Sequence, residues 1–177
     1  MSDCKTSAQT GTIADRFYGY CQEAEIDLVT SVPDGYLVPL IENLNGSIIQ
    51  QISAAREEEC FGIASGAAMC GKRAMVMIQN SGFMNAVGCF ATLCMNYKLP
   101  IVFLVSHRGN FFDRNGYDTE KYRYFESFLK HTECFNVSWY HFKSEGNIIK
   151  KAFEHAEAAG EPVIISLDIS PTEDIAC

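Results

Sequence analysis

The sequence predicts an α/β protein of three layers, α/β/α, around a doubly wound, mainly parallel six-stranded sheet. Two observations carry this. Strand-like and helix-like segments alternate along nearly the whole chain, and several of the strand-like ones are almost continuous apolar runs, as expected of strands covered by helices on both faces. At 177 residues the chain is long enough for one such domain with a full core and too short for two comfortable ones.

The elements follow in order. The first ten residues, MSDCKTSAQT, are polar and expected to be loose, which leaves 11–177 as a single domain. A helix-length stretch at 12–24 leads to a first strand, IDLVTSV (26–32), whose end runs into the turn SVPDGY. A second helix at 35–44 precedes SIIQQIS (47–53), and a third, 57–71, opens on three glutamates and continues in small residues. AMVMIQ (74–79) is followed by an apolar helix at 83–97, and IVFLVS (101–106) by a helix at 119–131. NVSWYHF (136–142), a helix at 145–159 and VIISLDI (163–169) complete the alternation.

Bulk composition excludes several classes. The chain has 14 basic and 22 acidic residues, a formal charge of −8, so it lacks the basic surface that nucleic acid or an anionic membrane requires. No early basic-then-apolar segment resembles a signal peptide and no apolar run reaches the roughly 20 residues of a membrane span, so a cytoplasmic location is expected. The eight cysteines, at 4, 21, 60, 70, 89, 94, 134 and 177, form no C-x-x-C pair. They read as reduced, small core residues rather than as metal ligands, and no metal site is assigned to this chain.

In a doubly wound sheet, ligands sit beyond the carboxyl ends of the strands. Asp34, Glu57, Gln79, Asn80, Ser81, Asn85, His107 and Arg108 all follow strands and so gather on that edge. Neither G-x-G-x-x-G nor G-x-x-x-x-G-K-[ST] is present, so the usual phosphate cradles are missing, as is a G-x-S-x-G nucleophile elbow. The chain has a binding edge without a complete apparatus.

Three segments carry chemistry, and each has a plain structural reading beside it. In REEECFGIASGAAMCGKR (56–73) the glutamates suit the positive end of a helix dipole, and the small residues suit close packing. That does not explain why a helix of so little bulk begins there, at a cost of roughly 1 kcal/mol per glycine relative to alanine. QNSGFMNAVGCFATLCMNY (79–97) is apolar on nearly every side, which fits either an internal helix or one buried against another subunit. SHRGN (106–110) offers a histidine and an arginine to an anionic group, or to a salt bridge.

Taken together, 56–109 resembles the pyrimidine-binding domain of thiamine-diphosphate enzymes, in particular the α subunit of sulfopyruvate decarboxylase and the matching half of phosphonopyruvate decarboxylase. SVPDGYLVPLI (31–41) resembles the first strand-turn-helix of the same family, and the likeness weakens after residue 109. The resemblance implies the pyrimidine-binding fold and a division of labour. One domain carries a cofactor-activating glutamate, while another binds diphosphate and Mg2+ through a Gly-Asp-Gly motif. A separate β subunit would supply the second domain and hold the Mg2+, in a hetero-oligomer of α2β2 or larger with the site between subunits.

The family's glutamate lies nine positions before a glycine, which matches Glu57 to Gly66 and leaves Glu58 and Glu59 as helix-end acids. Its carboxyl would share a proton with the aminopyrimidine ring and so promote removal of the thiazolium proton. Desolvation disfavours a charged carboxylate, which suits a group that must give and take a proton near neutral pH. The resemblance further implies Pro33, Asn80 and Ser81 beside the cofactor, and Asp34 as a second catalytic group that aids proton transfer or orientation. Gln79, Asn85, His107 and Arg108 would contact substrate, the last two its distal anion.

The implied reaction is non-oxidative decarboxylation of a small 2-oxo acid, 3-sulfopyruvate or 3-phosphonopyruvate, to the aldehyde and CO2. Another 2-oxo acid, carboligation in a specialised pathway, and a non-catalytic scaffold or ligand-binding subunit are the alternatives. Two departures bear on substrate. Phe83 and Met84 stand where the family has a smaller pair, and the aromatic stretch after HRG lacks the family's Gly/Pro-rich loop. Both changes would reshape the substrate pocket.

Overall fold

A computed structural model describes residues 13–113, 118–138 and 147–168. The expectation for residues 1–10 and the ends of the last two predicted strands lie outside them. The elements run α1 (Ile13–Glu23), β1 (Leu28–Ser31), α2 (Val38–Asn43), β2 (Gln50–Ser53), α3 (Glu57–Met69), β3 (Ala74–Gln79) and α4 (Asn80–Asn85). There follow α5 (Val87–Cys89), a π-helical turn (Phe90–Met95), β4 (Val102–His107), α6 (Thr119–His131), β5 (Asn136–Ser138), α7 (Ile148–Ala159) and β6 (Val163–Asp168).

The six strands form one sheet in the order β2-β1-β3-β4-β6-β5, and every pairing is parallel, firmer than the mainly parallel sheet expected. The apolar runs explain why. Every residue of β1 and β4, and all but the last of β3 and β6, is buried, so both faces must be covered.

Alternation along β4 separates two cores. Val102 and Leu104 join Phe17, Leu40, Met77 and Phe153 under α1, α2 and α7. Phe103 and Val105 join Phe61, Phe83, Phe90 and Phe125 under α3, α4, the π turn and α6. The second core is an aromatic cluster around Phe83, whose ring lies 5.1–5.6 Å from those of Phe61, Phe90, Phe103, Phe125 and Phe128. Such spacings are those of favourable tilted and edge-to-face pairs.

Helix ends follow local chemistry. Asn147 caps α7 by accepting from the amides of Ile149 and Lys150 at 3.0 and 3.2 Å, and Gly160, at φ 65°, ends it in the left-handed conformation. Where one helix was expected over 83–97, the chain instead breaks at Ala86 (φ −100°, ψ 10°) and widens into the π turn, in which the Asn96 amide reaches back to the Ala91 carbonyl at 3.2 Å. This stretch is also not buried all round: Asn85, Gly88, Ala91 and Thr92 are exposed.

The six described cysteines are free thiols, four of them buried. Among the described residues no His/Cys/Asp/Glu group is arranged to hold a metal, and no helix is long and apolar enough to cross a membrane.

Candidate active site

The chain runs outward from β1 to β2 and then returns past β1 to β3, so the sheet order reverses between β1 and β3. Ligands of doubly wound sheets enter at such a reversal, beyond the carboxyl ends of the strands. Four neighbouring strands end here, β2, β1, β3 and β4, and they deliver Glu57, Asp34, Asn80 and Arg108 respectively.

The three glutamates that open α3 do three different things. Glu59 turns back to cap the helix, its Oε2 accepting from the amides of Ala55 and Arg56 at 3.0 and 3.2 Å. Glu58 faces Arg56 across 3.5 Å in a largely exposed pair. Glu57, half-buried, extends from the end of β2 to the first turn of α4, where it rests on Gly82. A Cβ built on Gly82 would lie 2.6 Å from Glu57 Cδ and closer still to its Cγ and Oε1. The carboxyl occupies the space a side chain at 82 would fill. Position 82 was not singled out in the sequence; its signal is a glycine one turn into a helix that follows a polar strand end.

Asp34 sits in the turn between β1 and α2, which closes through amides of Leu37 and Val38 donating to its carbonyl at 2.8 and 2.9 Å. Its carboxylate is held from β4: Ser106 Oγ donates to Oδ2 at 2.8 Å and Arg108 Nη1 to Oδ1 at 3.0 Å. Ser106 and Arg108 alternate with His107, so they share the side of β4 that faces this turn. The Arg108 guanidinium also forms a two-pronged pair with Asp113, Nε to Oδ2 at 2.7 Å and Nη2 to Oδ1 at 3.0 Å, and lies 4.4 Å from the centre of the Tyr36 ring. Hydrogen bonding to Asp113 raises the Arg108 pKa above its ordinary value, with the charges of Asp34 and Asp113 adding to the effect against burial.

The remaining candidates divide. Asn80 is fully buried, donating from Nδ2 to the Arg108 carbonyl at 3.0 Å and accepting the Ser81 amide at 3.0 Å. Ser81 Oγ donates to Gln79 Oε1 at 2.9 Å. Pro33 and Asn85 are exposed at this edge.

His107 points the other way, into the helix layer. Its Nδ1 lies 3.0 Å from Asp168, its Nε2 3.3 Å from the Tyr122 carbonyl, and its ring stacks on Tyr122 at 4.0 Å. At 2% exposure it joins β4, β6 and α6 and offers nothing to a ligand at the edge, contrary to the expectation that it holds a substrate anion. Phe83 likewise enters the aromatic core rather than a pocket, so its bulk does not reshape the edge. Burial and Asp168 together push the Tyr122 phenol up to about 12.

Comparison with known proteins decides the family. The family model described as "Thiamine pyrophosphate enzyme, N-terminal TPP binding domain" matches residues 11–115. The chain belongs to this family. Among curated thiamine pyrophosphate enzymes, it is 39% identical over 97 residues to the sulfopyruvate decarboxylase subunit alpha of Methanothermobacter thermautotrophicus, covering 54% of this chain and 59% of that one. It is 36% identical over 94 residues to the subunit of the same name from Methanocaldococcus jannaschii, covering 52% and 56%. The match thus spans a little over half the length of these relatives.

Among solved structures, the thiamine diphosphate-dependent 4-hydroxybenzoylformate decarboxylase of Rhodococcus jostii RHA1 superposes with a TM-score of 0.68 at 16% identity. That alignment covers 89% of this chain and 30% of the other. It shows that the fold is that of one part of a much longer thiamine pyrophosphate enzyme. At the point where the sheet order reverses, the edge presents a half-buried carboxyl lying against a glycine, a group able to share a proton with a ring nitrogen.

Proposed function

We propose that the chain is the α subunit of a two-subunit thiamine-diphosphate-dependent decarboxylase, releasing CO2 from 3-sulfopyruvate and leaving sulfoacetaldehyde. The observation that carries this reading is Glu57 lying against Gly82 at the sheet reversal. The names of the matched relatives favour the sulfonated substrate over the phosphonated one. Thiamine diphosphate supplies the carbon nucleophile that adds to the ketone and takes up the electrons left by departing CO2.

This chain's residues bind and orient. Glu57 exchanges a proton with the cofactor's aminopyrimidine nitrogen, Gly82 leaves room for its carboxyl, Pro33 and Ser81 line the approach, and Asn80 supports the cofactor site from behind by holding the Arg108 carbonyl and the Ser81 amide. Asp34 stands at the neighbouring turn, where a carboxylate can orient or relay a proton, and Gln79 and Asn85 flank the substrate. Diphosphate and Mg2+ are held by a β subunit, in a cytoplasmic hetero-oligomer of α2β2 or larger.

The test is reconstitution. The chain, purified with a partner bearing a Gly-Asp-Gly motif and supplied with cofactor and Mg2+, is assayed for CO2 release from 3-sulfopyruvate, 3-phosphonopyruvate and pyruvate. Glu57→Gln is expected to abolish most turnover while the complex still assembles. Wild-type activity in that variant sinks the assignment, and no turnover of any 2-oxo acid by the wild-type complex favours a non-catalytic subunit.

A further inference from the structure

Arg108 stands where an anion receptor is expected, yet its guanidinium is already occupied. All three of its nitrogens donate to carboxylates, one to Asp34 and two to Asp113. Two carboxylates surround one guanidinium, so a third anion would have to displace one of them. The arginine and both acids are well shielded, with side-chain exposures of 9%, 11% and 1%. An ion pair so placed is hard to break, because the abandoned charge would be left away from water.

The network spans two loops. On one side it holds the Asp34 carboxylate, which also accepts Ser106 Oγ at 2.8 Å and its own turn's Tyr36 amide at 3.3 Å. On the other it holds the base of the segment after β4, where Asp113 Oδ2 also accepts the Gly109 amide at 2.8 Å. The Arg108 carbonyl, in turn, receives Asn80 from the end of β3 at 3.0 Å.

We infer that Arg108 is a positioning residue: with Asp113 it ties the β1–α2 turn to the base of the β4–α6 segment, and it fixes Asp34 rather than binding the substrate's distal anion. This rests on the decarboxylase reading for its kinetic consequence alone. Asp113 extends the network beyond any residue of the edge pattern, because it lies in the aromatic segment five positions past the arginine.

The test uses Arg108→Ala, Arg108→Lys and Asp113→Asn in the full chain, with its partner for kinetics. All three are expected to lower kcat roughly ten- to a hundredfold, with equal loss on 3-sulfopyruvate and pyruvate and KM nearly unchanged. Lysine is not expected to rescue, since a single ammonium cannot bridge two carboxylates as a fork does. A KM rise at least tenfold larger for the sulfonated substrate, relieved by lysine, overturns the inference.

Hydrogen exchange on the full chain gives an arm independent of turnover. Asp113→Asn is expected to speed exchange at Tyr36, whose amide donates to Asp34 Oδ2, as well as at Gly109, whose amide donates to Asp113 Oδ2. Unchanged exchange at Tyr36 refutes the tie even if the enzyme is active. Faster exchange without turnover by the wild-type complex upholds the tie and removes only the decarboxylase reading.

Discussion

Replacing Gly82 by alanine is the sharpest perturbation of the Glu57 arrangement, because it adds one methyl and nothing else. The new Cβ would lie 2.6 Å from Glu57 Cδ, whereas carbon atoms pack comfortably at about 3.5–4.0 Å. Glu57 must therefore retreat by about 1 Å. A misplacement of that size costs roughly a hundredfold in rate, or about 2.7 kcal/mol of barrier. Stability should respond differently. Gly82 lies inside α4, where alanine is favoured by up to about 1 kcal/mol, and the displaced group is a half-buried side chain able to change rotamer for about 1 kcal/mol. These offset, so thermal unfolding should barely move while steady-state decarboxylation by the reconstituted complex collapses. Shortening the partner should expose the coupling: Glu57→Asp in the Gly82→Ala background is expected to cost less than the two changes added separately. Activity within about threefold of wild type would refute the reasoning, as would a loss explained by unfolding.

Two further outcomes follow from the cores. Phe83→Ala should destabilise the protein by about 3–5 kcal/mol in urea unfolding, since it empties the centre of the aromatic cluster. Phe83→Leu should leave the ratio of turnover on different 2-oxo acids unaltered, and a changed ratio would return that residue to the substrate pocket. Alkaline pH should weaken the fold. Burial pushes the Cys21 thiol up to about 12 and those of Cys94 and Cys134 up to about 11, from 9.0. The unfolded chain then loses these protons first, so their contribution is intact below pH 9 and is lost as pH rises through 11–12. At pH 10 the three together account for at most about 4 kcal/mol. Comparison of urea midpoints at pH 8 and 10 checks it, with Cys21→Ala expected to make the drop smaller.

The strand pattern was legible because burial on both faces writes itself as unbroken apolar runs, and the boundaries of α6, 119–131, were read to the residue. The break after Asn85 was not. Only Gly88 weakens the helix pattern there, and Phe83 and Phe90, on either side of the break, share one core with Phe103, a contact that no local pattern encodes. The edge shows the same division. Strand ends located Asp34, Glu57 and Asn80, since topology alone sends those positions to one side. Facing directions were harder: His107 and Arg108 are adjacent, yet alternation sends one into the helix layer and the other to the Asp34 turn. Ser106 and Asp113 acquire meaning only through partners 72 and 5 positions away, the first across the sheet and the second around a bend.

Gly109 has one more consequence. Its φ of +99° suits glycine, and a Cβ there would collide with the backbone of Asp118, so the chain leaves β4 and returns to α6 through almost a single point. That approach brings the two ends of the return together, and each doubling of a loop between fixed ends adds only about 0.6 kcal/mol of closure entropy. Added length in that return is expected to leave β4 and α6 in register only if Asp113, bound to Arg108 and to the Gly109 amide, is kept. The domain thereby carries at its working edge a closed return whose added length would cost the fold little, provided Asp113 keeps its pairs.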